Sequence, residues 1–190
     1  MVKDITWWRF DNAIDSKTCN KIIKLGKKDW EKATIKGEFE NVIDTKSRET
    51  NVSWTTEQWL YDIVFDYMRS ANEQAGWDFE VDAAESMQIG KYSKGCFYDY
   101  HTDGDGVTVY DSPENKWLNN KTRKLSMSIF LNDNYEGGEF KFYGDDEETT
   151  RISEKGTVIV FPSYLNHCVE EVTKGNRYSL VVWFVGPKFK

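Results

Sequence analysis

Apolar side chains recur at helical spacing in two stretches of the first 75 residues and at strand spacing beyond them. From Asp15 to about Ala33, Cys19, Ile22, Ile23 and Trp30 share one side of a 3.6-residue repeat behind a capping aspartate, which predicts an amphipathic helix. From about Thr55 to Gln74, Trp59, Ile63, Tyr67 and Ala71 recur every four residues with Leu60, Val64 and Met68 beside them. This predicts a second helix, with Gly76 as its stop. Residues 38–54 mix β-branched and polar side chains and predict a strand or extended loop. After Trp77 the texture changes to about eight short β-rich runs: 78–81, 84–92, 97–103, 124–132, 139–143, 149–153, 157–161 with 167–172, and 177–185. Asn134 to Gly138 and Gly144 to Glu147 supply hairpin chemistry, and Gly175-Asn176 marks a tight turn before the last run. The pattern is that of an antiparallel sandwich or jelly roll.

A chain of 190 residues suffices for one domain with a real core, and two separate cores would each be small. We therefore expect a single domain over 1–190, with helical support over about 15–75 and a β core over about 77–186. Aromatic residues reach 15%, so the core should be rich in rings. A net charge of −7 argues against a phosphate-binding surface, which needs clustered Lys and Arg, and nucleic acid is a poor partner. Three cysteines without a C-x-x-C pair imply no disulfide framework and fit a reducing compartment. The N-terminal MVKDITWWRF lacks the apolar run of a secretory signal, and no stretch approaches the roughly 20 apolar residues of a membrane span. The expected location is cytoplasmic, without a membrane partner.

Only two histidines occur, His101 and His167. His101 and Asp103 fall at the end of a predicted strand, where residues two apart project to one face. His167 opens a later strand after the turn-like FPSYLN. Two imidazoles and one carboxylate occupy one face of an octahedral iron(II) ion and leave the other face open, whereas a zinc hydrolase uses three or four protein ligands with one open position. Arg177 enters the apolar run RYSLVVWF, and a buried cation there needs an anionic partner. A dicarboxylate matches the guanidinium fork, and Ser179, facing the same way, adds a hydroxyl. Residues 104–122, rich in Gly, Asp and Asn, are too long for an idle connection and form a candidate lid.

The segments YSKGCFYDYHTD, LSMSIFLND, YEGGEFKF and KGTVIVFPSYLNHCVEEVTKGNRYSLVVWF together resemble the prolyl 4-hydroxylase-like branch of the iron(II) and 2-oxoglutarate-dependent oxygenases. RETNVSW and the first helix extend the likeness to residues 10–186. The resemblance implies a mainly β fold, a double-stranded β-helix (jelly roll) with N-terminal helices packed on its major sheet. It implies His101, Asp103 and His167 as ligands to Fe(II), and Arg177 as the grip on the distal carboxylate of 2-oxoglutarate. Tyr92 matches the tyrosine bordering the cosubstrate pocket. Arg123, Trp183 and Tyr98 match positions on the substrate side. The implied reaction consumes dioxygen, with ascorbate as a supporting reductant. It decarboxylates 2-oxoglutarate to succinate and hydroxylates an aliphatic carbon, foremost a prolyl residue of a peptide or protein.

One departure bears on the cosubstrate. Prolyl hydroxylases of this branch often carry Tyr just before the Leu of the LND segment, where this chain has Phe130; Ser179 is the candidate substitute for the missing hydroxyl. Nucleic-acid demethylases of the superfamily carry a second Arg at the position of Trp183. Two other readings stay open: hydroxylation of a free amino acid or other small molecule, and a non-catalytic jelly roll that binds a ligand through exposed aromatics.

Overall fold

The computed structural model describes residues 6–27, 29–36, 41–42, 44–144 and 154–189. Its first helix, α1 (Ser16–Gly26), starts where expected: Asp15 caps it by accepting hydrogen bonds from the Lys17 and Thr18 backbone N–H groups at 2.8 and 3.0 Å. It ends earlier than the apolar pattern implies. Trp30 lies beyond it, ring against Tyr178, and the chain has already turned into a short strand, Glu31–Lys32. The last residue of α1 is Gly26, packed so close to the sheet that a Cβ there would stand 2.9 Å from Ile89 Cγ2. In α2 (Gln58–Gln74) the fully buried stripe is Leu60, Val64, Met68 and Ala71, with Trp59, Ile63 and Tyr67 packed beside it. The predicted stripe is thus rotated slightly about the axis. Gly76 follows the helix at φ 71°.

The large sheet has eight strands. Its order is Trp8–Phe10, Val158–Pro162, Thr122–Phe130, Asn176–Gly186, Met87–Ser93, Asn51–Thr55 and Glu31–Lys32, with Ala83–Ala84 added along the end of Asn176–Gly186. A four-stranded sheet, Phe140–Phe142, His167–Val169, Phe97–His101 and Arg48–Glu49, faces it. Every named pairing is antiparallel. With helices on one side and a second sheet on the other, this is the expected mainly β jelly roll with its helices behind the major sheet.

Period-two alternation divides the large sheet. Met87, Ile89, Leu125, Met127, Ile129, Val158, Val160, Leu180, Val182 and Phe184 pack with α1 and α2 in an aliphatic layer. The intervening residues face the small sheet, where Phe130, Phe140, Phe142 and Phe161 form an aromatic layer. A β-bulge at Lys124 interrupts the alternation, since Arg123 pairs with Val185 and Leu125 with Phe184. The extra residue puts both Arg123 and Leu125 on their observed faces, Arg123 inward and Leu125 toward the helices.

The run at 78–81 is not a strand. Its backbone is satisfied by a side chain instead: Asn72 on α2 accepts from Phe79 N at 3.0 Å and donates to Phe79 O at 2.9 Å. The short strand Trp8–Phe10 pairs with Val158–Pro162, although its three residues give too few alternations to be read from the sequence. The predicted run at 149–153 and most of the Gly144 to Glu147 turn lie outside the described residues. Gly175, at φ 80°, makes the predicted turn before the last strand.

Candidate active site

His101 and His167 are directly opposite one another on neighbouring strands of the small sheet, with ring centroids 4.3 Å apart. Asp103 lies beyond the strand, which ends at His101, so alternation along a strand does not aim its carboxylate. A turn does. The backbone N–H groups of Asp103 and Gly104 both donate to Ser163 O at 3.0 Å, which ties the segment to the end of Val158–Pro162 in the large sheet. The Asp103 oxygens thereby come within 3.8 Å of His101 Nε2 and 3.7 Å of His167 Nε2. One donor atom from each residue falls within 4.8 Å of the others, a set that can hold a metal ion.

The imidazoles are fixed from behind. His101 Nδ1 is 2.7 Å from Asp99 O and His167 Nδ1 is 3.0 Å from Leu165 O, and because a carbonyl only accepts, each Nδ1 carries the proton. Each Nε2 faces Asp103, and in a neutral imidazole so held Nε2 carries the lone pair that binds metal. Burial, reinforced by His167, pushes the His101 pKa down to about 4, so its ring is neutral at pH 7. Burial pushes the Asp103 carboxyl up, but His167, His101, Arg123 and the Ser126 hydroxyl together outweigh it and hold it below the usual carboxylate value. Its Oδ2 is buried with no hydrogen-bond partner. Rings enclose His167: Phe140 stacks on it at 5.3 Å and Phe161 meets it edge-on at 4.8 Å.

Arg177 is 1% exposed on the last strand, paired across the sheet with Tyr92, and lies within reach of the Tyr92 and Phe130 rings at 5.2 and 5.1 Å. Its Nη1 donates to Ser179 Oγ at 3.3 Å, while Nε and Nη2 are buried and unanswered. Tyr135, which sequence reasoning missed, stands close enough for the cation to oppose the effect of burial on its pKa, yet its buried hydroxyl has no well-formed hydrogen bond. The Gly pair of YEGGEF makes room for this: a Cβ on Gly138 would come 3.1 Å from Arg177 Cδ and 3.5 Å from Tyr135 Cε2. Gly90, opposite Ser179, similarly leaves space that a Cβ would fill 3.2 Å from Ser179 Oγ. The orphaned donors and the open cradle fit a carboxylate.

One chamber of about 850 Å³ connects these groups, lined by the His101, Asp103 and His167 cluster, by Arg177 and Ser179, and by Trp54, Arg123 and Trp183. Arg123 is already engaged. It grips Glu85 through two hydrogen bonds of 2.7 Å, donates to Asp103 O at 3.1 Å and lies 4.1 Å over the Trp183 ring. Tyr110 also donates to Glu85, at 2.7 Å, so the 104–122 segment is fastened to the chamber wall. Tyr98 stacks on His101 with centroids 3.5 Å apart, and burial pushes its hydroxyl up to about 12. Glu85 and Tyr110 carry no spacing signal that would have singled them out.

All three cysteines are free and buried. Among the described residues no helix is long and apolar enough to cross a membrane, which says nothing of strands crossing one as a barrel.

Comparison with known proteins agrees with this geometry. A PKHD-type hydroxylase of Picosynechococcus sp. is 34% identical over 100 residues, which cover 52% of this chain and 41% of the relative, so the aligned part is less than half that protein's length. A PKHD-type hydroxylase, YbiX, of Shigella dysenteriae is 25% identical over 166 residues, covering 84% and 69%. Among solved structures, a viral collagen prolyl hydroxylase from Paramecium bursaria Chlorella virus-1, complexed with 2-oxoglutarate, superposes with a TM-score of 0.70 at 19% identity over 96% of this chain and 97% of that one. A Trichoplax adhaerens prolyl hydroxylase bound to a hypoxia-inducible-factor peptide gives 0.72 at 14% identity, over 94% and 83%. At these identities the structural likeness establishes the fold. The family model of the 2OG-Fe(II) oxygenase superfamily matches residues 87–185, just over half of the chain and the stretch that holds His101, Asp103, His167 and Arg177, and the chain belongs to that superfamily.

Proposed function

We propose that this protein is an Fe(II)- and 2-oxoglutarate-dependent dioxygenase that hydroxylates an aliphatic carbon, foremost in a prolyl residue of a peptide or protein. One observation carries the reading: a two-histidine, one-carboxylate cluster shares its chamber with a buried arginine that has two unanswered donors. A structural metal site needs no such cation. Two relatives named PKHD-type hydroxylases and two neighbours named prolyl hydroxylases, one holding a peptide, support the substrate class.

In this reading His101 Nε2, His167 Nε2 and one Asp103 oxygen hold iron(II). Bound iron and 2-oxoglutarate supply the chemistry, in which decarboxylation of the cosubstrate by dioxygen is coupled to insertion of one oxygen atom into a C–H bond. Arg177 receives the distal carboxylate, with Ser179 and Tyr135 donating hydroxyl hydrogen bonds, so that Tyr135 replaces the hydroxyl that Phe130 lacks. Tyr92 forms one wall of that pocket. Phe140 and Phe161 keep water from His167. Arg123 positions Asp103 and Trp183 rather than offering a free charge to substrate. The 104–122 segment acts as a lid held through Tyr110.

The test incubates metal-stripped protein with iron(II), 2-oxoglutarate, ascorbate as supporting reductant and a panel of proline-containing peptides, and follows succinate and peptide mass, with Asp103→Ala as control. A gain of one oxygen on a prolyl residue, lost in the variant, establishes the reading. Succinate without modified peptide keeps the oxygenase and removes the substrate class. Absence of succinate together with absence of retained metal leaves a ligand-binding jelly roll.

A further inference from the structure

Arg48 is a second buried arginine in the chamber, 7% exposed, and among the described residues it too lacks an anion. It pairs with Tyr98 across the small sheet, and its guanidinium carbon lies 4.3 Å over the Tyr98 ring, whose other neighbour is the His101 imidazole. Three planar groups are therefore stacked in the order His101, Tyr98, Arg48. Among the described residues the guanidinium makes two hydrogen bonds, both to neutral acceptors: Nη1 to Thr34 O at 3.2 Å and Nη2 to Gln88 Oε1 at 3.4 Å. Its Nε is buried without a partner.

The neighbouring acids are committed elsewhere. Glu49, next in sequence, pairs with Lys32 at 2.6 Å, and Glu31 accepts the Trp54 indole N–H at 2.8 Å. Glu85 is held by Arg123 and Tyr110. Asp105 is occupied by the Val107 and Thr108 backbone N–H groups. Among the described residues Arg48 has no carboxylate partner. Trp183 Nε1, in the lining of the same chamber, is a further buried donor without an acceptor.

A buried guanidinium is stable only when a counter-charge answers it. Under the reading proposed above, on which this inference rests, the cosubstrate answers Arg177 and the metal answers Asp103. Among the described residues Arg48 is then the cation of the chamber left without a counter-charge, and the unanswered Trp183 indole N–H lines the same chamber. We propose that Arg48 is the recognition site for a carboxylate on the substrate, so that the molecule oxidised is an acid. The carboxylate comes either from the main-chain terminus of an amino acid or short peptide, or from an acidic side chain beside the target residue. The Trp183 indole N–H supplies a second hydrogen bond to the same end of the substrate.

The test compares acids with their amides on the full chain loaded with Mn(II) and 2-oxoglutarate, and again without 2-oxoglutarate, by calorimetry. One pair is N-acetyl-L-proline against N-acetyl-L-prolinamide. The other is the blocked tripeptide Ala-Pro-Asp against Ala-Pro-Asn. In at least one pair the acid should bind about ten- to a hundredfold more tightly than its amide, the range of a charge-assisted hydrogen bond. The pair that discriminates identifies the source of the carboxylate. Arg48→Gln should erase the difference, and Arg48→Lys, which keeps the charge, should retain part of it; both should bind 2-oxoglutarate as the unaltered protein does. No acid preference in either pair, or a preference that survives in Arg48→Gln, overturns the inference. A preference found in protein that binds no 2-oxoglutarate keeps this site and removes the oxygenase reading instead.

Discussion

The two faces of the large sheet are written by the same strands and differ in almost everything else. Toward the helices stand Met87 and Ile89, then Leu125, Met127 and Ile129, then Leu180, Val182 and Phe184, all aliphatic or aromatic and all with 0–1% exposure. Toward the small sheet stand Gln88, Gly90 and Tyr92, then Arg123, Ser126 and Ser128, then Arg177, Ser179 and Trp183, which line the chamber or its floor. The first face satisfies itself. The chamber between the second face and the small sheet holds buried donors and a carboxylate oxygen with no protein partner, at Arg48, Asp103, Arg177 and Trp183. Isolated buried polar groups of this kind cost stability, and in a natural protein they persist at sites that a ligand completes. The contrast teaches that stability and chemistry are separated by one residue step along each strand.

Asp103→Ala breaks the chamber face most severely. Iron-dependent succinate formation should fall by more than about a hundredfold, beyond the loss typical of a residue that merely supports a ligand. The melting temperature of metal-free protein should fall only modestly, through loss of the interactions that hold the Asp103 carboxyl below the usual carboxylate value, which differential scanning calorimetry checks. Leu180→Ala breaks the other face. It should cost about 2–5 kcal/mol in urea unfolding, while the affinity of the surviving folded protein for 2-oxoglutarate changes little. If both substitutions cut both properties alike, the faces are not separate.

Tyr135→Phe and Ser179→Ala should each weaken 2-oxoglutarate binding by about tenfold, the loss of one hydrogen bond to a charged group, without lowering stability. Calorimetry on Mn(II)-loaded protein reads both. A smaller effect is expected at Tyr110, whose phenol is pushed above the ordinary 10.0 by burial, with Arg123 opposing and Glu85 reinforcing. A raised pKa means that the fastened loop favours the neutral phenol, so its contribution is intact below pH 10 and is lost as pH rises beyond it. Tyr110→Phe should loosen the 104–122 segment by about 1 kcal/mol at neutral pH and flatten its alkaline dependence, measured by hydrogen exchange at Trp117.

How much of this was legible depended on the range of the signal. The last strand shows what a local signal carries: RYSLVVWF announces a buried strand with a cation at its head, and alternation along it gives Arg177 and Ser179 a common face. Helix α1 shows a failure, since Trp30 continues the apolar period although Gly26 has ended the helix; periodicity records which residues reach the core, and Trp30 reaches it from outside. The run at 78–81 misled for a related reason, because Asn72 on α2 provides the hydrogen bonds that a neighbouring strand would have supplied.

By itself the sequence determined what depends on residue type and short spacing: the change from helical to strand period near Trp77, the histidine and aspartate set, and the arginine that needs an anion. Only the tertiary structure decided which groups were already spoken for. Along the chain Arg177 heads an apolar run, whereas Arg48 and Arg123 sit among polar and charged neighbours, and nothing local says which of the three has a partner. Folding brings Glu85 from 38 residues away to Arg123 and brings no described carboxylate to the other two. Whether a buried charge is neutralised is fixed by a few ångströms in space between residues far apart in sequence, and no local pattern encodes that distance.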